Sequence, residues 1–420
     1  MKRKYNFIFV IAYLALAIPM FYVRQSDFYV GSFGVGYKYL LGIGIILLAA
    51  THFLISADLR SALYGLKNGM VLVAPYLWTL AYSLILWVCT LAGFREMTRG
   101  TFVVVYQLIA IFAAAGTLYM FGRRGIYLQL LALVCALVLV AAEQIQSIGM
   151  AEFFRQYWVN IKSFTRESGA AMRTFEKGEY CYAVGFFLAY FLLTVKERRS
   201  HILLTVLTFF LFFLGLKRSV LFGVGSAITM GILVSLIKKP RKLITVLLVL
   251  LMVLSIGYIV WVYYGLFDWL ESVGLSTSGR NWLYAQIREY YTMSPAYFGR
   301  GAGFVSRSFM DGTIDLTNKG FTIGDIHNDY LRQYIEYGFW GYLLWLWLYT
   351  GRKLRRFFGA GGDAADNRRG VIAFAMTLVA CVTCLTENTL YCYYATLAMA
   401  ITIMGHEYEF FVKREKLPGE

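Results

Sequence analysis

Charge is scarce in this chain. Asp, Glu, Lys and Arg make up 15% of its 420 residues and apolar residues 59%, against about 25% and 45–50% in soluble domains. That scarcity excludes an ordinary soluble enzyme. Acidic residues are the scarcer sign, 24 against 40 basic ones, for a formal charge of +16. In a soluble protein such an excess would point to nucleic acid. In a chain of long apolar runs separated by short basic clusters, the basic residues read instead as topological anchors. Cysteine is also sparse. Four of the six, Cys135, Cys381, Cys384 and Cys392, fall within apolar runs, so no disulfide framework is implied. The Cys381-x-x-Cys384 pair, inside an apolar helix, reads as small-residue packing rather than redox or metal chemistry. There is no internal repeat, and the one biased tract, the Gly/Ala/Asp stretch at 359–366, reads as a flexible connection.

What is there is a polytopic, all-α membrane plan, because backbone polar groups in lipid must be satisfied within each segment. A window of about 20 residues finds twelve candidate spans, near 5–23, 39–56, 70–92, 101–121, 125–142, 180–195, 201–216, 219–237, 243–263, 329–350, 371–386 and 389–405. The basic start and Ala15-Leu16-Ala17 resemble a cleavable signal, but the segment is long enough to span and further spans follow it, so it is read as the first span. Placing the N-terminus in the cytoplasm puts 23 of the 40 Lys and Arg residues inside, as the positive-inside rule requires. Both termini are then cytoplasmic, and the two long connections, 143–179 and 264–328, face outward. The aromatic and charged stretch from Glu152 to Trp158 in the first reads as a helix lying in the headgroup region.

Ion-coupled carriers place ionisable residues near the bilayer midplane. The span middles here carry none; His52 and His201 fall near cytoplasmic span ends and His406 in the C-terminal tail. The unusual charges sit at the outer surface. Lys217-Arg218-Ser219 separates two apolar runs with almost no loop, a costly place for two cations without an anionic partner. Arg218, Phe222, Gly225 and Thr229 share one helical face, predicting a guanidinium above a small-residue stripe that admits another helix. In the second long loop, Ser276-Thr277-Ser278-Gly279-Arg280 opens a short helix, and Phe298-Gly299-Arg300-Gly301-Ala302-Gly303 offers glycine-rich backbone beside arginine, a combination suited to phosphate oxygens. It is not a Walker A loop, since no Gly-Lys-Ser/Thr follows. The stretch from His327 to Gly341 enters the tenth span. On a continuous helix His327, Tyr334, Gly338 and Gly341 lie within about 40° of one another and Glu336 opposite. The imidazole would then face the protein, kept neutral by the helix N-terminus and nearby arginines, as a proton acceptor or simply as a cap.

These residues resemble the signature of the O-antigen polymerase and O-antigen ligase superfamily of bacterial membrane glycosyltransferases. A basic residue and serine (Arg218-Ser219) begin a mid-chain span; Ser278-Gly279-Arg280-Asn281-Trp282 opens the large outer loop; a glycine-rich turn follows; and His327, Asn328, Gly338 and Gly341 fill an H-N-x9-G-x-x-G pattern. The likeness covers about residues 200–350. A lysine, Lys217, precedes the arginine where many members have a small or polar residue, which leaves the donor class open. The resemblance implies a GT-C-like, multi-pass enzyme of the plasma membrane. Its donor would be a saccharide linked through pyrophosphate to undecaprenol, and its acceptor a sugar hydroxyl on another lipid-linked glycan. Flippase and chain-length regulator proteins would be its partners, with no nucleic acid and no cofactor. Asp311, Asp315, Asp325 and Asp329 are scattered and form no acidic metal cluster, so arginines would stabilise the dianionic leaving group. Arg218 and Arg280 would clamp the pyrophosphate, assisted by Lys217, Arg288 or Arg300. Asn328 and Tyr334 would contact substrate, and His327 would deprotonate the acceptor, with inversion. Polymerase is the expectation, ligase the alternative, and a lipid-linked-glycan flippase or channel the alternative of another class.

Overall fold

The computed structural model describes residues 2–22, 29–30, 35–163, 175, 179–238, 240–275, 277, 279–314, 326–357 and 364–414. Ser278, Asp315, Lys319, Asp325 and most of the 359–366 connection lie outside the described residues. The described chain is helical apart from one antiparallel pair of two-residue strands, Tyr29–Val30 with Val35–Gly36. The helices are α1 (Lys2–Tyr22), α2 (Tyr37–Ser56), α3 (Leu59–Cys89), α4 (Phe94–Phe121), α5 (Arg124–Ile148), α6 (Met150–Ser163), α7 (Tyr180–Leu193), α8 (Ser200–Phe212), α9 (Arg218–Ser235), α10 (Pro240–Tyr263), α11 (Leu266–Ser272), α12 (Arg280–Ile287), α13 (Phe304–Met310), α14 (Asp329–Trp347), α15 (Lys353–Phe357), α16 (Ala364–Thr383) and α17 (Tyr393–Arg414).

Six of these, α2, α3, α4, α5, α9 and α10, are long and apolar enough to cross a bilayer, and shorter apolar helices cover Phe7–Tyr22, Tyr180–Leu193 and Ser200–Gly215. Leu47, Leu54, Leu203, Val246, Val253 and Leu254 are exposed on α2, α8 and α10. Apolar surface on that scale is a liability in water and the ordinary condition in lipid. The protein is a polytopic membrane protein.

Helix α7 is buried from Tyr180 to Phe191 and packs against α8, α9 and α17. Enclosed by protein, its 14 residues need not match the bilayer thickness. On α9 the buried small residues are Gly223, Ala227 and Gly231. A Cβ on Gly223 would stand 2.8 Å from Thr383 Cγ2 and 3.0 Å from the Val379 carbonyl oxygen, so this is where α16 approaches closely. The stripe expected at Arg218, Phe222, Gly225 and Thr229 is therefore corrected: Phe222 is 69% exposed and Gly225 has nothing within 4 Å. Both stripes satisfy helical spacing, and tertiary packing selects the other one. Helix α6, inside the first long connection, is amphipathic: Phe153 and Asn160 are buried, Phe154 and Trp158 exposed, and Arg155 pairs with Glu152 at 2.6 Å.

The expectation of one continuous helix after His327 is also corrected. Helix α14 is broken at Gly338 (φ 64°, ψ −170°). His327 lies before the helix in the left-handed region (φ 50°), and Asn328 is the cap, its side chain accepting from the Leu331 N–H. Glu336, expected on the opposite side, is fully buried.

Candidate functional site

The site is assembled around the turn between α16 and α17. Neighbouring segments hold this connection, Cys384 to Cys392, in place. The Asp329 N–H donates to the Cys384 carbonyl (3.0 Å), and the Leu390 N–H to Asp329 Oδ2 (2.7 Å). Tyr258 of α10 donates to the Leu385 carbonyl (2.6 Å) and receives Asn328 Nδ2 (3.1 Å). Arg280 Nη2 donates to the Thr386 carbonyl (3.0 Å). Asn328 is thus a structural clasp as well as a cap, and it is fully buried.

At the centre of the turn is Glu387, a residue the sequence reading did not select. Lys217 Nζ lies 2.7 Å from Glu387 Oε2 and also donates to the Tyr182 hydroxyl (2.7 Å), which in turn donates to Oε2 (3.1 Å). Ser219 Oγ donates to Oε1 (3.0 Å). His327 Nδ1 stands 3.6 Å from Oε2, with its side chain 44% exposed. Burial alone would raise the Glu387 pKa, but the His327 and Lys217 contacts outweigh it and hold the carboxyl at about 2. It is therefore a carboxylate at neutral pH. The signal that could have found it is the one that drew attention to Lys217: a charge between two apolar runs with almost no loop.

Three expected residues, His327, Lys217 and Arg280, meet at this turn. Arg218, next to Lys217, is exposed and has no hydrogen bond or ion pair with any described residue, leaving its guanidinium available. The other two basic residues have partners elsewhere. Arg288 stacks over the Tyr263 ring (4.6 Å to the centroid). Arg300 lies over Phe304 (5.6 Å), and its Nε donates to the Tyr290 carbonyl (3.3 Å). Tyr334 donates to the Thr292 carbonyl (2.9 Å). With Ile256, Val260, Tyr264, Met293 and Phe339 it lines an apolar cavity of about 210 Å³.

The glycine-rich turn is engaged by protein. Three of its N–H groups are occupied: Arg300 and Gly301 donate to the Glu336 carbonyl (3.1 and 2.7 Å), and Ala302 to Ser83 Oγ (2.8 Å). Gly299 and Gly338 meet so closely that a Cβ on Gly299 would stand 2.6 Å from the Gly338 nitrogen. The turn docks into the break of α14. Beneath it, Arg332 Nε is 3.2 Å from Glu336 Oε1, and its guanidinium lies 3.7 Å from the Tyr391 ring centroid. Ionisable residues do enter this helix, paired with each other. Among the described residues no three His, Cys, Asp or Glu side chains converge as metal ligands would.

No family model, no curated protein and no solved structure matches the chain.

Proposed function

We propose that the chain is a twelve-span membrane glycosyltransferase of GT-C-like architecture that polymerises undecaprenyl-pyrophosphate-linked repeat units on the outer face of the bacterial plasma membrane, with both termini cytoplasmic. One observation carries this reading: His327, Lys217 and Arg280 converge on one turn, with the unpartnered Arg218 beside them. A half-exposed imidazole beside guanidinium groups suits a reaction in which a hydroxyl loses its proton while a dianion departs. His327 takes the proton of the acceptor hydroxyl. The oxygen attacks the anomeric carbon, and the bond from that carbon to the pyrophosphate oxygen breaks with inversion. Arg218 and Arg280 stabilise the departing undecaprenyl pyrophosphate.

The test is reconstitution of the purified protein with lipid-linked repeat units and analysis of the lipid-linked product. The wild type lengthens the glycan without added partners. His327→Ala inserts normally and loses chain growth by about 100-fold or more, the size of a general-base contribution. Full-length glycan from that variant refutes the assignment. Movement of unextended units across the bilayer without growth would indicate a flippase, and growth only on lipid A core a ligase.

A further inference from the structure

We propose that Glu387 is the positioning residue for His327, fixing the hydrogen of the neutral ring on Nδ1 so that Nε2 faces the substrate as the base. The two residues are held across from each other by backbone. The Asp329 N–H to Cys384 carbonyl bond and the Leu390 N–H to Asp329 carboxylate bond join the segment after His327 to the turn bearing Glu387. With Asn328 extended as the cap (φ −159°), His327 takes its left-handed conformation at the junction. Local strain of this kind persists where the surroundings over-determine it, and it clusters at functional sites. The ring nitrogen turned toward Glu387 Oε2 is Nδ1, at 3.6 Å. A carboxylate only accepts, so a hydrogen bond formed across this contact has Nδ1 as its donor. Contacts of this length are common in unliganded sites and tighten when substrate binds.

Neutralising Lys217 is not a sufficient account of Glu387. Lys217 and Tyr182 satisfy Oε2 and Ser219 satisfies Oε1, yet the backbone links still bring His327 to the same carboxylate. Among the described residues, the charged and titratable groups in contact with the Glu387 turn are Lys217 and His327 directly, Tyr182 of α7 by hydrogen bond, and Arg280 through the adjacent Thr386 carbonyl. Glu387 is the one acid among them.

For catalysis the proposal rests on the glycosyltransferase reading, but its primary test does not. The full-length protein, labelled with 15N-histidine and held at a pH where the ring is neutral, gives side-chain 15N spectra. The chain has four histidines, and His327 is assigned by the signal lost in His327→Gln. The wild-type ring carries its hydrogen on Nδ1, and Glu387→Ala moves it to Nε2. Glu387→Asp keeps it on Nδ1 and retains part of the chain growth that Glu387→Ala loses by about tenfold or more, the effect seen when a histidine loses its orienting partner. A wild-type ring with its hydrogen on Nε2 overturns the proposal, as does a tautomer unchanged in Glu387→Ala. The wild-type spectrum alone is decisive should Glu387→Ala fail to fold. An Nδ1-bound hydrogen in a protein that forms no glycan supports the positioning and refutes the glycosyltransferase instead.

Discussion

Gly338→Ala tests the construction of the site without reference to its chemistry. At φ 64° and ψ −170° the backbone occupies a region essentially restricted to glycine, where another residue costs about 1–3 kcal/mol. The added methyl would also stand 2.3 Å from the Phe298 carbonyl carbon and the Tyr297 carbonyl oxygen. Both are backbone atoms and cannot rotate away, and overpacking of this kind costs about 1–3 kcal/mol more. The expected loss, about 2–6 kcal/mol, is a large share of the stability of a typical fold. Two controls separate the contributions. Gly274→Ala has φ 81° but nothing within 4 Å, so it carries the backbone cost alone, about 1 kcal/mol. Gly225→Ala, inside α9 with no positive φ and nothing within 4 Å, should be neutral or stabilising by up to about 1 kcal/mol. The assay is thermal unfolding of detergent-solubilised protein followed by size-exclusion chromatography. The predicted order of melting temperatures is Gly225→Ala, Gly274→Ala, then Gly338→Ala well below both. A Gly338→Ala variant that melts with Gly225→Ala refutes the docking of the glycine turn into the helix break.

Arg218→Gln should change stability by no more than about 0.5 kcal/mol, because the guanidinium is exposed and unpartnered, while abolishing chain growth from lipid-linked units; a melting curve and a product assay on one preparation check both halves. Glu387 has its carboxyl pKa depressed from 4.5 to about 2, so it stabilises the fold above the unfolded-state value and loses that contribution as pH falls through the folded one. The stability difference between wild type and Glu387→Gln should therefore shrink as pH falls from about 4.5 toward 2, as read from denaturation at a series of pH values.

Much of the helical plan was legible, because hydropathy is a local property and lipid leaves the backbone few alternatives. The constellation His327, Arg280 and Lys217 was legible too, since charges beside apolar runs stand out. What escaped was whatever depends on contacts between distant segments. Glu387 is a single acid whose meaning comes from Lys217, Ser219 and His327, each on another segment. Arg288 and Arg300 looked like Arg280 in sequence, and only folding shows their guanidinium groups resting on Tyr263 and Phe304. The register that aligned His327 with Gly338 and Gly341 was misread because a continuous helical period was projected through a cap and past a break at Gly338.

The break in α14 also bears on the proposed anion clamp. Non-helical backbone at membrane depth is tolerated only where protein or a water-filled cavity satisfies it. The Glu336 carbonyl is taken by the Arg300 and Gly301 N–H groups, and the Phe339 N–H by the Tyr297 carbonyl at 2.8 Å. The glycine turn thus completes the hydrogen bonding of the broken helix, which commits its Arg300, Gly301 and Ala302 N–H groups to protein acceptors. Lys217 is engaged by Glu387 and Tyr182, while one Arg280 amine holds the Thr386 carbonyl. In the proposed anion clamp, Arg218 is then the uncommitted member and the remaining face of the Arg280 guanidinium the second. Because Lys217 and Ser219, on either side of Arg218, bond Glu387 and Arg280 bonds the Thr386 carbonyl, the geometry of the proposed clamp depends on that turn as much as on the arginines themselves.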